Sequence, residues 1–199
     1  MKKQYRNTAL AAMLMLLPLG ALAQEGRFSL AVGLGNSQFD LNEPGLVSNF
    51  STVTSASSFS DSVTSFSFFV GYQLDQYLSL ESEFVSVGDV TATEAGLTSK
   101  LFDVSTLSIT VALSNQLSER IRVFGRMGAH FWDISESSGS LNTINNAVDL
   151  TYGLGVDINI YGDRSRQLRL QWNHYEYDGV FIDGGDIISA NLLFQIGGY

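Results

Sequence analysis

Residues 148–160 read VDLTYGLGVDINI, and few folds can accommodate such a run. Val148, Leu150, Tyr152, Leu154, Val156, Ile158 and Ile160 are apolar, while Asp149, Thr151, Gly153, Gly155, Asp157 and Asn159 are small or polar. Residues two apart in a strand share a face, so one side is continuously apolar and the other is not. An apolar face of this length suits a tilted, bilayer-crossing strand of ~9–11 residues better than a soluble one. Soluble barrels keep their apolar side chains inside. A membrane barrel inverts that arrangement, because its apolar partner is lipid.

The same alternation recurs at 28–35, 66–74, 78–87, 105–113, 121–132, 168–175 and 188–196, and no long helical period appears after the first residues. Connections alternate in length: long polar stretches at about 37–63, 89–101, 134–147 and 177–186, short ones at 75–76, 114–119 and 161–166. The expected fold is all-β: an eight-stranded antiparallel transmembrane β-barrel with four long surface loops and three short periplasmic turns. The first long stretch, SQFDLNEPGLVSNFSTVTSASSFSDSV, carries too little apolar content to predict a core within it. Aromatics fall near strand ends: Phe28, Tyr72 and Tyr161 on the short-turn side, Phe84, Phe131 and Tyr177 on the loop side, as interfacial girdles would.

The chain opens MKKQYRNTALAAMLMLLPLGALAQ, a cationic start, an apolar run and a small-residue site at Ala21-Leu22-Ala23. This predicts a secretory signal peptide over 1–23 and a barrel over 24–199. Loss of Lys2, Lys3 and Arg6 with the leader leaves eight basic against twenty acidic residues, a net charge of −12. That charge argues against a nucleic-acid partner. With no cysteine, neither a disulfide framework nor a lipid attachment site exists.

The blocks GYQLDQYLSLESEFVSVGD (71–89), VFGRMGAHFWD (123–133), YGLGVDINI (152–160), LRLQWNHYEYD (168–178) and DIISANLLFQI (186–196) together resemble the OmpA-like eight-stranded outer-membrane barrels. The resemblance implies a monomer in the cell outer membrane, with periplasmic termini, surface loops, surrounding lipid and lipopolysaccharide, and handling by the outer-membrane assembly machinery. No cofactor or metal is expected. Larger members continue into a peptidoglycan-binding domain, whereas this chain stops at Tyr199, so wall tethering does not carry over. Members tend to end on an outward aromatic; here Ala190, Leu192, Phe194 and Ile196 set the outward phase and Tyr199 departs from it.

Charged residues fall on the inward face. Glu81 and Glu83 share it with Arg122, Arg126, Asp157 and Arg169. Glu81, Asp157 and Arg169 each lie about four residues from the short-turn end, roughly 10 Å up the axis at ~3.3 Å rise and ~40° tilt. Arg169 is therefore expected to bridge the lumen to Glu81, with Arg126 near Glu83. Arginine suits this role because its planar fork serves two carboxylates and keeps its proton. The expected protein is a structural or surface-interacting barrel whose lumen is closed by this salt-bridge network, and it is not an enzyme. A narrow channel and a lipid A-modifying barrel enzyme are the alternatives.

Other candidates are weaker. His174, outward beside Trp172, lacks a nearby His-x-Ser arrangement, and His130 is expected in the lumen toward the loops. Asp178, Asp183 and Asp186 in DGVFIDGGD match no trusted calcium loop and read as a solvated acidic segment. The loop end also carries Asp40, Glu43, Asp61, Asp89, Glu94, Asp133 and Glu136, whereas Arg27, Arg120, Arg164 and Arg166 gather at the short-turn end. The expected consequence is that divalent cations link the acidic loops to lipopolysaccharide phosphates. The sequon at Asn49 and the two GLG triplets carry no information.

Overall fold

The structure, a computed structural model, describes residues 27–50, 53–136, 146–160, 165–179 and 181–196, with Asn146 described by its backbone alone. The leader, Tyr161, Arg164 and Tyr199 lie outside the described residues. The strands are β1 (Arg27–Leu41), β2 (Ser58–Ser60), β3 (Ser62–Gln73), β4 (Leu78–Glu94), β5 (Leu97–Gln116), β6 (Ile121–Glu136), β7 (Asn146–Asn159), β8 (Arg166–Glu176) and β9 (Ile182–Ile196), with one helix, α1 (Glu43–Asn49). Eight strands pair antiparallel around a ring that includes β1 on β9 and β4 on β5. The three-residue β2 adds to the upper edge of β4.

The outer surface explains why the sequence alternates. Leu34, Leu113 and Ile188 stand 65%, 65% and 66% exposed, and Met127, Leu154 and Phe66 point outward beside them. A continuous apolar belt of this kind is stable only against hydrocarbon. Phe28 and Tyr72 pair at its short-turn edge, ring centroids 4.9 Å apart.

Strands run well past this belt on the loop side. The 17 residues of β4 climb roughly 40 Å at ~3.3 Å rise and ~40° tilt, against an apolar band of ~25 Å. Along this extension the pattern inverts. On β4 the outward residues pass from Leu80 and Phe84 to Ser86, Thr91 and Thr93, while the inward ones pass from Glu81 and Glu83 to Val85, Val87, Val90 and Ala92. On β5 and β6, Phe102, Val104, Trp132 and Ile134 are likewise buried. The wall leaves lipid and enters water at this height, so its outer face becomes polar and its inner face becomes the core.

Two expectations about the loops change accordingly. Residues 89–101 form a hairpin, with β4 and β5 paired as far as Glu94 and Leu97 around Ala95-Gly96. Both turn residues have positive φ, 49° and 82°, the requirement of a type I′ turn. A register shift between Val87 and Thr91 displaces the alternation and disguises the strand in the sequence. The first loop does supply core: Leu46, Phe50 and Val53 are buried with Phe181 and Ile182 between the walls. Asn42 caps α1, its side chain accepting from the Gly45 amide at 3.2 Å, with Glu43 and a proline in the first turn. Phe181 stacks on Phe102 at 6.1 Å and packs at a tilt against Phe50 at 5.3 Å. Tyr177, expected in the outer girdle, points inward into this cluster and is 3% exposed. The segment 178–186 is therefore half core rather than wholly solvated, and β9 begins within it.

Candidate functional site

Four strands bring charge into the lower lumen, each through the inward phase of its alternation. Glu81 and Glu83 come from β4, Arg126 from β6, Asp157 from β7 and Arg169 from β8, and none is more than 5% exposed. Arg169 donates from Nε and Nη2 to the two oxygens of Asp157 at 2.7 and 3.0 Å, and from Nη1 to Glu81 Oε1 at 3.2 Å. Its guanidinium lies between two rings, 4.7 Å from the centroid of Phe69 and 4.2 Å from that of Phe124. One side chain thus joins β8 to β3, β4, β6 and β7. Small residues make this possible: a Cβ on Gly155 would lie 2.5 Å from the Phe124 ring.

Arg126 is the second hub. Its Nη2 pairs closely with Glu83, its Nε donates to Asn173 Oδ1 at 2.8 Å, and its Nη1 lies 3.6 Å from Glu81 Oε2, an ionic contact too long for a hydrogen bond. Gln171 donates to Glu83 Oε1 at 2.8 Å and Ser79 to Glu81 Oε1 at 3.2 Å. In these contacts three carboxylates meet two guanidiniums. Arg122, on the same face of β6 and opposite Asp157 in the register, lies nearer the short-turn mouth and is half-buried.

The sequence reading missed the aromatic and amide partners. Phe69, Phe124, Gln171 and Asn173 were legible only as inward positions. An aromatic on an otherwise polar face was the one signal available, and it marks the stacking partners of Arg169.

Above the charged layer sits His130, fully buried. Its Nε2 lies 2.7 Å from the Glu176 carbonyl and its Nδ1 2.9 Å from Thr106 Oγ1. A carbonyl only accepts, so Nε2 carries a proton, while the Thr106 hydroxyl also lies 3.3 Å from the Phe131 carbonyl. Tyr175 and Tyr177 stand edge-on to the ring at 5.0 and 5.1 Å, and Trp132 donates to Asp149 Oδ2 at 2.6 Å. These residues join the polar layer to the apolar plug.

On the outside, His174 Nδ1 bonds Asp186 Oδ1 at 2.8 Å, and its ring lies near Tyr152 and Trp172. The register row through it runs Ser62, Gln38, Asp186, His174, Tyr152; Ser62 lies three strands from the histidine and donates to Asn36 Oδ1 at 2.9 Å. Asp178, Asp183 and Asp186 do not converge. Among the described residues no group of three His, Asp or Glu is placed to hold a metal ion.

Comparison with known proteins agrees with this architecture. The chain resembles the structures of Ail from Yersinia pestis (16% identity, 86% of this chain and 100% of Ail, TM-score 0.53) and Neisserial surface protein A (11%, 87% and 100%, 0.58). It also resembles OprG from Pseudomonas aeruginosa (12%, 87% and 97%, 0.54). At these identities the likeness is one of fold. No curated protein sequence matches the chain. A family model described as "Outer membrane protein beta-barrel domain" matches residues 9–195, and with a closed eight-stranded ring, an apolar belt and a charged lumen the chain belongs to that outer-membrane β-barrel family.

Proposed function

We propose that this protein is a closed, non-catalytic outer-membrane barrel that holds a rigid acidic platform above the bilayer for contact with the cell surface and its surroundings. The observation that carries this reading is the double filling of the lumen. The charged layer spans the lower half, and Leu46, Phe50 and Phe181 fill the upper half. A path along the axis would have to break ion pairs and also wet an apolar constriction. Against a lipid-modifying enzyme stands the arrangement of the His174 row, whose serine, Ser62, lies three strands from the histidine and bonds Asn36 instead.

The partner chemistry follows from charge. Ail is titled an attachment invasion locus protein, and one Ail structure holds the heparin analogue sucrose octasulfate. Here the loop end carries Asp40, Glu94, Asp103, Asp133, Glu176 and Asp186, with Lys100 the cation among the described residues there, and Lys100 is paired with Asp89. A polysulfate would be repelled. Cationic partners, and lipopolysaccharide phosphates reached through divalent cations, are the better match.

The test is planar-bilayer conductance of purified protein together with lipid A mass spectrometry of cells with and without it. Silent bilayers and unchanged lipid A are expected. Steady single-channel steps, or a lost acyl chain, would overturn the proposal.

A further inference from the structure

The short-turn mouth differs chemically from the rest of the molecule. A cavity of about 540 Å³ opens there, and Arg27 and Arg122 line both it and a second, narrow cavity of about 20 Å³ beneath. The wide cavity has one carboxylate among its described lining residues, Asp75, whose Oδ1 accepts from the Tyr77 and Leu78 amides of its own turn at 2.7 and 2.8 Å. The carboxylates deeper in, Glu81 and Asp157, are held by Arg169. Arg122 faces Asp157 across the β6–β7 register, whereas the register partner of Arg27 is the neutral Gln73. Asn115 adds a further amide to the wall.

We propose that this mouth is a binding site for a small organic anion, a carboxylate or phosphate ester with a polar body, entered from the periplasm. In a chain of strong negative charge, the described residues on this concave, amide-lined surface include two half-buried guanidiniums and one carboxylate, a local reversal of sign. Partial burial also strengthens the guanidiniums' hold on an anion relative to open water. The planar fork of each arginine suits two-oxygen ligands. The narrow cavity below admits little more than water and ends at Arg169, so the anion is held and not conducted. The site is independent of the surface role proposed above.

The test uses full-length mature protein refolded into nanodiscs, with backbone amide resonances followed by NMR. In zwitterionic nanodiscs at fixed ionic strength, citrate and inorganic phosphate are titrated as probes. Saturable shifts at 27–29, 73–77 and 115–116 are expected, with affinity weakened at least ~10-fold in Arg27→Gln and largely kept in Arg27→Lys. Arg27→Gln should melt with wild type, which separates lost binding from lost fold. A second arm replaces the lipid with anionic phosphatidylglycerol and omits soluble anion. Shifts confined to that arm assign the anion to a lipid headgroup; shifts with citrate or phosphate assign it to the periplasmic solution. Non-saturating shifts, shifts elsewhere in the barrel, equal affinity in Arg27→Gln, or no response in either arm would overturn the proposal.

Discussion

Replacing Arg169 with alanine is the sharpest perturbation of the lumen. It removes three charged hydrogen bonds, at 2.7, 3.0 and 3.2 Å, and two ring contacts, at 4.7 and 4.2 Å. It also leaves Asp157 without its bidentate partner and Glu81 with Ser79 and the more distant Arg126. Breaking a buried ion pair from one side costs ~3–5 kcal/mol, and each ring contact adds ~0.5–2 kcal/mol. Water entering from the adjacent narrow cavity offsets part of this. A net loss of about 4 kcal/mol is expected, read as a lower urea midpoint for unfolding from vesicles with an unchanged slope. A second change, Glu81→Ala, in that background should recover ~1–2 kcal/mol by removing one stranded charge. The sequence alone would have Arg169→Ala open a conducting path. The apolar plug above it changes that expectation: conductance should stay near wild type until Leu46→Asp is added to disrupt the plug. Should Arg169→Ala unfold within ~0.5 kcal/mol of wild type, the range of an indifferent surface site, the ion pairs do not hold the lumen together.

Three further outcomes follow from the same geometry. Gly155→Ala places a methyl group 2.5 Å from the Phe124 ring and 2.6 Å from the Leu170 carbonyl, and should cost ~1–3 kcal/mol; Gly125→Ala, whose nearest neighbour lies 3.9 Å away, should be neutral in the same unfolding assay. Phe50→Ala removes a ring stacked on Phe102 and packed against Phe181, and should cost ~3–5 kcal/mol if the plug is as rigid as the wall, while leaving bilayers silent because the charged layer remains. Chelation with EDTA should raise protease sensitivity of the acidic loop end in native membranes, and cleavage unchanged by chelation would refute divalent bridging to lipopolysaccharide.

The sequence by itself determined the barrel and the charged residues of its lower lumen. Alternation dictates which residues share a face, and lipid dictates that the apolar face turns outward. Glu81, Glu83, Arg126, Asp157 and Arg169 therefore had to meet inside, since a charge on the hydrocarbon face is prohibitively costly. The upper half followed different rules. There the solvent outside is water, so Val85, Val87, Phe102 and Trp132 turn inward in the phase that carries polar residues lower down. Adjacent apolar residues such as Phe84-Val85 mark the change, but nothing local says which of the two faces lipid. The hairpin at Ala95-Gly96 escaped because it lacks the usual Asn-Gly or Asp-Gly signal and because the bulge before it shifts the alternation. That Leu46, Phe50 and Phe181 are core is a tertiary decision. A short segment with three or four apolar side chains cannot bury them by itself, and does so here only because walls supplied by distant strands already form an apolar cup around it.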